Sequence, residues 1–304
     1  MNKKNKTVCV VFYTDSRYDG LVSNVRNSFN KFHSEECDYI QIDYTNQDEW
    51  NAKLRTYQYA PETFLMQYIY GYEVARIYGY EKVIILGSDT IVCSRLDEFL
   101  DDNETPVLAT LNYPNQDKTE YWVTPFVTIQ SPDGQLYHDS QNINADVVCF
   151  NSLDALAKVI DLSIEHYTHF SIQGGLNELA FSDKSFEVKI VDSPYPSSKV
   201  VYNCRSKGVY GTDMIVKGKL AKHGPQYDGL SSPMHYWYVK DNKLYTHDHK
   251  QIKCFHFVEG LGGRPDEKFY ELLDDFKENW FNNETKNSLL RGVIVRVFLH
   301  IIRL

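Results

Sequence analysis

The sequence is poor in the features that mark many simple assignments. The six cysteines, Cys9, Cys37, Cys93, Cys149, Cys204 and Cys254, include no C-x-x-C pair, which excludes a zinc ribbon or a paired redox motif. Cys9 and Cys149 fall inside apolar runs, so free thiols in a reducing compartment are the expectation. Positive charge is not in excess. The formal net charge is −9, and an acidic field does not draw in a polyanion, which argues against nucleic acid as a partner. No unbroken apolar run reaches the roughly 20 residues that a spanning helix needs. The basic start, Met1 to Lys6, leads only into the short run Val8–Phe12 and then Asp15. That is too little for the core of an export signal, so a cytoplasmic location is expected. G-x-S-x-G, H-E-x-x-H, Walker A and G-x-G-x-x-G do not appear where they would need to stand. Internal repeats, low-complexity tracts and a clear linker are absent as well.

What is present fits a globular chain. Its 304 residues are 42% hydrophobic and 24% charged, enough to bury one large core, with or without a small C-terminal part. Tyr is abundant, 23 in all. Tyr has an apolar body and a polar tip, which suits clefts that hold rings, sugars or bases, and equally suits a Tyr-rich core. Thr7–Tyr13 (TVCVVFY) and Lys82–Leu86 (KVIIL) read as buried parallel strands, and Asp38–Tyr44 alternates as a strand does. Helices are predicted over 18–33 and about 62–79, the second with Pro61 at its start. This strand–helix–strand–helix–strand order predicts a doubly wound α/β sheet with right-handed crossovers.

Beyond Asp89 the pattern changes. Strands are predicted at Pro106–Asn112, Tyr121–Gln130, Ala145–Phe150, Phe186–Val191, Lys199–Tyr202 and Lys253–Val258. Helices are predicted at about 152–168, 173–182 and 266–281. Tyr236–Val239 and Lys243–Tyr245 read as a hairpin through Asp241-Asn242. Residues 204–234, rich in Gly, Lys, Ser and Pro, read as an irregular loop.

The stretch Lys82–Phe99 (KVIILGSDTIVCSRLDEF) carries the strongest chemical signal. A buried strand ends in the polar turn Gly87-Ser88-Asp89, and ligands of open α/β sheets collect at such carboxyl ends. An Asp there can hold a divalent cation that bridges two phosphates, or simply cap a turn. The stretch resembles glycosyltransferase family 8, the glycogenin and lipopolysaccharide galactosyl- and glucosyltransferase group, whose segment reads strand, D-x-D, a hydrophobic pair and a D-E-L/F helix. The D-x-D places fall here on Gly87, Ser88 and Asp89, so the resemblance implies a metal-ligand role for Asp89 and a donor contact at Ser88, with Gly in the first acidic place.

Other segments agree in order with the same family. Tyr13-Thr14-Asp15-Ser16-Arg17-Tyr18 is similar to its opening turn, which implies that Thr14, Asp15 and Tyr18 hold the nucleotide base and ribose; read alone, Asp15 can equally cap the helix and Tyr18 pack on it. The turn is also not the glycine-rich loop of a sugar-nucleotide pyrophosphorylase. Asn144-Ala145-Asp146-Val147 resembles the family's N-A-G-V entry, which gives Asn144 a donor contact. Asp146 replaces the Gly and adds a carboxylate near the reaction centre, able to bind sugar hydroxyls or to cap a strand. Ile172-Gln173-Gly174-Gly175-Leu176-Asn177 looks like D-Q-x-x-L-N and implies that Gln173 lies near the donor's anomeric carbon. Cys254 to Pro265 (CFHFVEGLGGRP) resembles the closing H-F-x-G-x-x-K-P. There His256 would share the cation of Asp89. The backbone of Gly260 and Gly262 would approach the phosphates, and Arg264 would grip the diphosphate and assist its departure. His247-Asp248-His249 can be read as a metal cluster or as a hairpin end.

The C-terminal stretch Leu289–Leu304 is apolar with spaced bases, and from Lys286 onward Lys286, Arg291, Arg296 and Arg303 meet no acidic residue. It fits an interfacial helix on an anionic membrane surface through 286–304, or a helix packed on the domain. The resulting expectation is a GT-A type α/β fold over 1–283, mainly a parallel twisted sheet with a smaller antiparallel part, followed by a basic amphipathic helix over 284–304. The resemblance implies a retaining hexosyltransferase that uses a UDP-sugar donor, Mn2+ or Mg2+, and a glycan or lipid-linked saccharide acceptor, with Gln173, Asp146 and Arg264 at the reaction centre. The protein would be cytoplasmic and peripherally membrane-associated. The alternatives are a sugar-nucleotide-binding or hydrolysing protein without efficient transfer, and a non-enzymatic membrane-associated scaffold.

Overall fold

The computed structural model describes residues 5–57, 63–111, 143–165, 171–192, 199–205, 215–216, 219–220, 237–240, 243–246 and 249–256. The first half of the chain runs β1 (Thr7–Phe12), α1 (Asp19–His33), β2 (Cys37–Ile42), α2 (Gln47–Asn51), α3 (Thr63–Tyr78), β3 (Lys82–Leu86), β4 (Thr90–Val92), α4 (Asp97–Asp101) and β5 (Val107–Leu111). It continues with β6 (Ile143–Phe150), α5 (Leu153–Glu165), α6 (Ser171–Glu178), a π turn (Leu179–Asp183), β7 (Val188–Ile190), β8 (Val200–Val201), β9 (Cys204–Arg205), β10 (Ile215–Val216) and β11 (Lys219–Leu220). The last described elements are β12 (Trp237–Lys240), β13 (Lys243–Thr246), β14 (Gln251–Ile252) and β15 (Cys254–His256).

The central sheet has six strands in the order β2-β1-β3-β6-β5-β7. β1 pairs in parallel with both β2 and β3, and β5 with β7. β6 is antiparallel to its neighbours β3 and β5, so five strands run one way and β6 runs the other. This is the mainly parallel α/β sheet expected. The smaller sheet is the antiparallel hairpin of β12 and β13, extended antiparallel by β14 and then in parallel by β8. Two expectations needed correction. Residues 204–234 are not uniformly irregular, because β9, β10 and β11 lie among them. The run Ala145–Phe150 belongs to a strand that starts earlier, at Ile143. Tyr121–Gln130, the helix over 266–281 and the C-terminal part 284–304 lie outside the described residues.

Strand periodicity builds two cores, one on each face of the sheet. Val8, Val10 and Phe12 of β1 join Leu65 and Ile69 of α3, Leu156 and Val159 of α5 and Leu176 of α6. The alternate residues Cys9 and Val11 join Val22, Val25 and Phe29 of α1 and Phe99 of α4. Each side chain fully buried in this way contributes about 1.5–3 kcal/mol. Burial also explains the thiols: it pushes Cys37 and Cys149 up to about 12, far from the thiolate a nucleophile needs. Cys9, Cys37, Cys93, Cys149 and Cys254 are free and buried.

Two local devices set the site's frame. Lys82 is buried, and its ammonium donates to the carbonyls of Phe99, Leu100 and Asp102, which caps the C-terminal end of α4. Gly175 lets α6 press against α5: a Cβ there would lie 2.1 Å from Ser163 Oγ and 2.7 Å from the Val159 carbonyl oxygen. No helix among the described residues is long and apolar enough to cross a membrane.

Candidate functional site

β1 and β3 are neighbours, while the chain leaves β1 toward β2 on the opposite side. Their carboxyl ends therefore flank a topological switch point, where open sheets bind ligands. Buried Gln67 of α3 pins this edge by donating to the carbonyls of Val10 (3.2 Å) and Leu86 (2.7 Å). Tyr68, next to it, donates its hydroxyl to the Ala145 carbonyl at 2.7 Å. One helix thus fixes the ends of β1 and β3 and the entry of β6.

After β3 the chain makes a tight turn. Thr90 donates to the Gly87 carbonyl through its amide (3.3 Å) and its hydroxyl (2.8 Å). β4 then leaves the central sheet and pairs antiparallel with β15, with Thr90 opposite His256. This register brings His256 beside Asp89: Nε2 lies 3.1 Å from Asp89 Oδ1 and 3.7 Å from Asp146 Oδ2. Asp146 arrives from β6, where Leu86 pairs with Val147 and the Gly87 amide donates to the Asp146 carbonyl at 2.7 Å. The buried Asn144 accepts from the Asp146 amide at 2.7 Å and so shapes the backbone that carries this carboxylate.

His256 is nearly enclosed, with 6% of its side chain exposed, against 26% for Asp89 and 24% for Asp146. Its Nδ1 lies 2.9 Å from Asn203 Oδ1. In the tautomer that donates to this oxygen, Nε2 is an acceptor facing a carboxylate oxygen. Two acceptors at that separation need a proton or a cation between them. Asn203 in turn follows Tyr202, whose amide donates to Asp192 Oδ2 at 2.7 Å, while the Leu111 amide donates to Asp192 Oδ1 at 2.8 Å. Burial pushes the Asp192 carboxyl up to about 7 against the pull of these amides.

The donor set suits a hard divalent cation. Two carboxylates and an imidazole are donor types that suit Mg2+ or Mn2+. Neighbouring donors on a six-coordinate ion with bonds of about 2.1 Å lie about 3 Å apart, which the His256–Asp89 separation of 3.1 Å fits. The three side chains are not a finished cage: among the described residues no group of three or more such side chains stands ready-arranged to hold a metal.

The carboxyl end of β1 is organised differently. Asp15 caps the short helical turn Ser16–Tyr18 by accepting from the Arg17 amide at 2.9 Å, and its carboxylate pairs with the Arg17 guanidinium. Thr14 is exposed and Tyr18 half-buried against the α1 side of the core. Beside them stands a polar cluster that sequence reading overlooked. Tyr13 donates to Asp19 at 2.9 Å, Gln41 donates to the Tyr13 hydroxyl at 3.0 Å, and Tyr44 donates to Asp19 at 3.0 Å with its ring 44% exposed.

Ser88 is half-exposed in the turn before Asp89. Gln173 sits in α6, whose buried Asn177 accepts from the Ile143 amide and donates to the Ile143 and Gln173 carbonyls. Asn177 thus ties α6 to the start of β6. Gly260, Gly262, Arg264, His247 and Asp248 lie outside the described residues, as does the 286–304 tail. Asn203, Gln67 and Tyr68 were missed in the sequence, because only their tertiary partners reveal their roles.

No protein-family model matches the chain, and no curated protein matches it significantly. Solved structures are similar at low identity. The apo structure of the WbbM bifunctional glycosyltransferase aligns at 16% identity and a TM-score of 0.49, over 94% of this chain and 51% of its own, so this chain spans about half its length. A glycosyltransferase involved in glycosylation of the major capsid of PBCV-1 aligns at 13% identity and a TM-score of 0.47, over 88% of this chain and 98% of its own. The galactosyltransferase LgtC, solved with donor and acceptor sugar analogs, aligns at 16% identity and a TM-score of 0.46, over 88% and 95%.

Proposed function

We propose that this chain is a glycosyltransferase that moves a hexose from a UDP-sugar to a hydroxyl of a glycan or lipid-linked saccharide, with retention of configuration. The observation that carries this reading is the meeting of Asp89 and His256, far apart in sequence, at 3.1 Å beside a topological switch point. They are the two residues for which the motif resemblance implied a shared cation, and nothing in their local sequence requires them to meet. Mn2+ or Mg2+ held by Asp89 and His256 would supply charge neutralisation for a departing diphosphate.

The chain's own residues take the other roles. Asn203 holds the His256 ring by its far nitrogen, which keeps Nε2 turned toward Asp89. Thr14, Asp15 and Tyr18, on the adjacent strand end, are assigned the base and ribose, and Ser88 and Asn144 the donor's phosphate and sugar side. Gln173 is assigned the face of the anomeric carbon. A neutral amide there suits a front-face displacement in which the leaving diphosphate accepts the acceptor's proton. Gly260, Gly262 and Arg264 are assigned the diphosphate, where Arg264 would balance its growing charge. The tail over 286–304 is assigned an anionic membrane surface, which places the enzyme at the cytoplasmic face near lipid-linked acceptors.

The test is a panel of nucleotide sugars and free UDP, each with and without Mn2+, read as the thermal midpoint of the full chain. A ligand that binds the native state raises the midpoint, and raises it more the tighter it binds at a given concentration. The expected result is a rise with UDP or a UDP-sugar that is larger with Mn2+, followed by sugar transfer in assays with saccharide acceptors. A midpoint indifferent to every nucleotide sugar would leave a non-enzymatic scaffold. Binding with slow hydrolysis and no transfer would leave the hydrolytic alternative.

A further inference from the structure

Gly87 and Asp146 face each other across the β3–β6 ladder, and their side chains compete for one space. A Cβ placed on Gly87 would lie 3.0 Å from Asp146 Cβ, 3.1 Å from Asp146 Oδ1 and 3.1 Å from Asp89 Oδ1. The volume that a side chain at 87 would enter is therefore bounded by both carboxylates. It is left open because residue 87 is glycine. The same Asp146 carboxylate reaches toward His256, 3.7 Å from Nε2. Gly87 also donates its amide to the Asp146 carbonyl at 2.7 Å, which ties the two backbones together at this spacing, so a side chain at 87 would have to push the Asp146 or Asp89 side chain aside.

We propose that Asp146 is a ligand of the cation held by Asp89 and His256, and that Gly87 is the residue that makes room for it. The carboxylate that the turn 87–89 lacks in its first place is supplied across the sheet by the facing strand. This assignment rests on the glycosyltransferase reading above, and it gives Asp146 a task other than binding sugar hydroxyls. It also accounts for two departures from the motif at once: Gly stands where a carboxylate is expected at 87, and a carboxylate stands where Gly is expected at 146. The positions have exchanged residue types, and the shared space explains why they would have to change together. A carboxylate pair with an imidazole is a reasonable Mn2+ or Mg2+ set, the remaining places going to water and phosphate oxygens.

The experiment measures Mn2+ affinity of the full chain directly, from the electron paramagnetic resonance signal of free Mn2+, in the presence of saturating UDP. Four proteins are compared with the wild type: Asp146→Asn, Asp146→Gly, Gly87→Asp and the double exchange Gly87→Asp/Asp146→Gly. Loss of a ligand is expected to weaken Mn2+ binding by roughly tenfold or more in Asp146→Asn and Asp146→Gly. Gly87→Asp alone weakens it as well, because two side chains crowd one space. The double exchange recovers most of the wild-type affinity, a coupling that independent sites do not show. Metal-free UDP affinity and the metal-free thermal midpoint are expected to change little in the two Asp146 variants, which separates ligand loss from misfolding. Wild-type Mn2+ affinity in Asp146→Asn, or a double exchange no better than Asp146→Gly alone, overturns the assignment while leaving the glycosyltransferase reading in place. A wild-type chain that binds UDP but no Mn2+ overturns the assignment together with the metal part of that reading; one that binds neither overturns both.

Discussion

Two aspartates follow two adjacent parallel strands, and the structure treats them in opposite ways. At the end of β1, Asp15 turns back on its own loop, capping the next turn and pairing with Arg17 two residues on. At the end of β3, Asp89 meets His256 from β15, with Asp146 of β6 alongside. The local sequence reads almost alike in the two places: apolar strand, short polar turn, acid. The difference lies in what the rest of the chain sends there. β4 breaks away from the central sheet and recruits β15, and the reversed strand β6 brings a carboxylate in from the side. Capping the next turn and pairing with Arg17 are contacts that a local turn explains by itself. A residue whose partners come from distant strands needs another reason, because a turn does not require them.

The sharpest way to break this comparison is Asp89→Ala. On the reading above it removes one key electrostatic group from the transition state, which costs about 2–4 kcal/mol, or roughly a 30- to 1000-fold loss in transfer. Its stability should hold or rise, since two neighbouring carboxylates become one. Transfer kinetics and urea midpoints on the same preparation check both halves. Near wild-type turnover, or a clear loss of stability, would make Asp89 a turn residue like Asp15.

Asn203→Ala comes next. Asn203 touches no proposed substrate, and it acts by holding the His256 ring. Partners of this kind are worth about 10- to 100-fold in metal affinity. Mn2+ affinity should fall by that amount, and Asn203→Asp, which keeps the acceptor for Nδ1, should restore most of it. If Asn203 only fills space, the two variants will lose stability together and Mn2+ affinity will follow neither.

Much of this was legible beforehand, for reasons that can be located. β1 and β3 announce themselves because a strand buried on both faces is an unbroken apolar run, and the order of elements through β3 predicts parallel pairing with helices on both sides. The direction of β6 was not legible: Ala-Asp-Val-Val-Cys-Phe is equally apolar read along or against its neighbours, so composition carries no sign of the reversal that puts Asp146 beside Gly87. The short strands β9, β10 and β11 of two residues each are below any periodicity, and they sit in a stretch whose Gly and Lys content reads as loop. Asp89 and His256 were proposed from motif order, and their contact in space is what order alone does not establish. Asn203 could not be found, since an Asn after a short strand is ordinarily a turn residue.

The smallest effect concerns the other side of the comparison. Asp15→Ala removes an N-cap acceptor and the Arg17 partner. Cap loss costs typically about 1 kcal/mol, and an ion pair this exposed adds little to that. A urea midpoint should register the loss, and Arg17→Ala should register less, because the amide of residue 17 still has its acceptor. The role proposed for Asp15 at the nucleotide makes a second, separable demand. UDP affinity without metal should fall in Asp15→Ala and stay near wild type in Asp89→Ala, whose contribution comes through the cation. If metal-free UDP affinity is unchanged in Asp15→Ala while stability drops, capping is the whole of its work. The nucleotide's base would then have to be sought in the neighbouring cluster of Tyr13, Asp19, Gln41 and the exposed Tyr44, which lies at the same edge of the sheet.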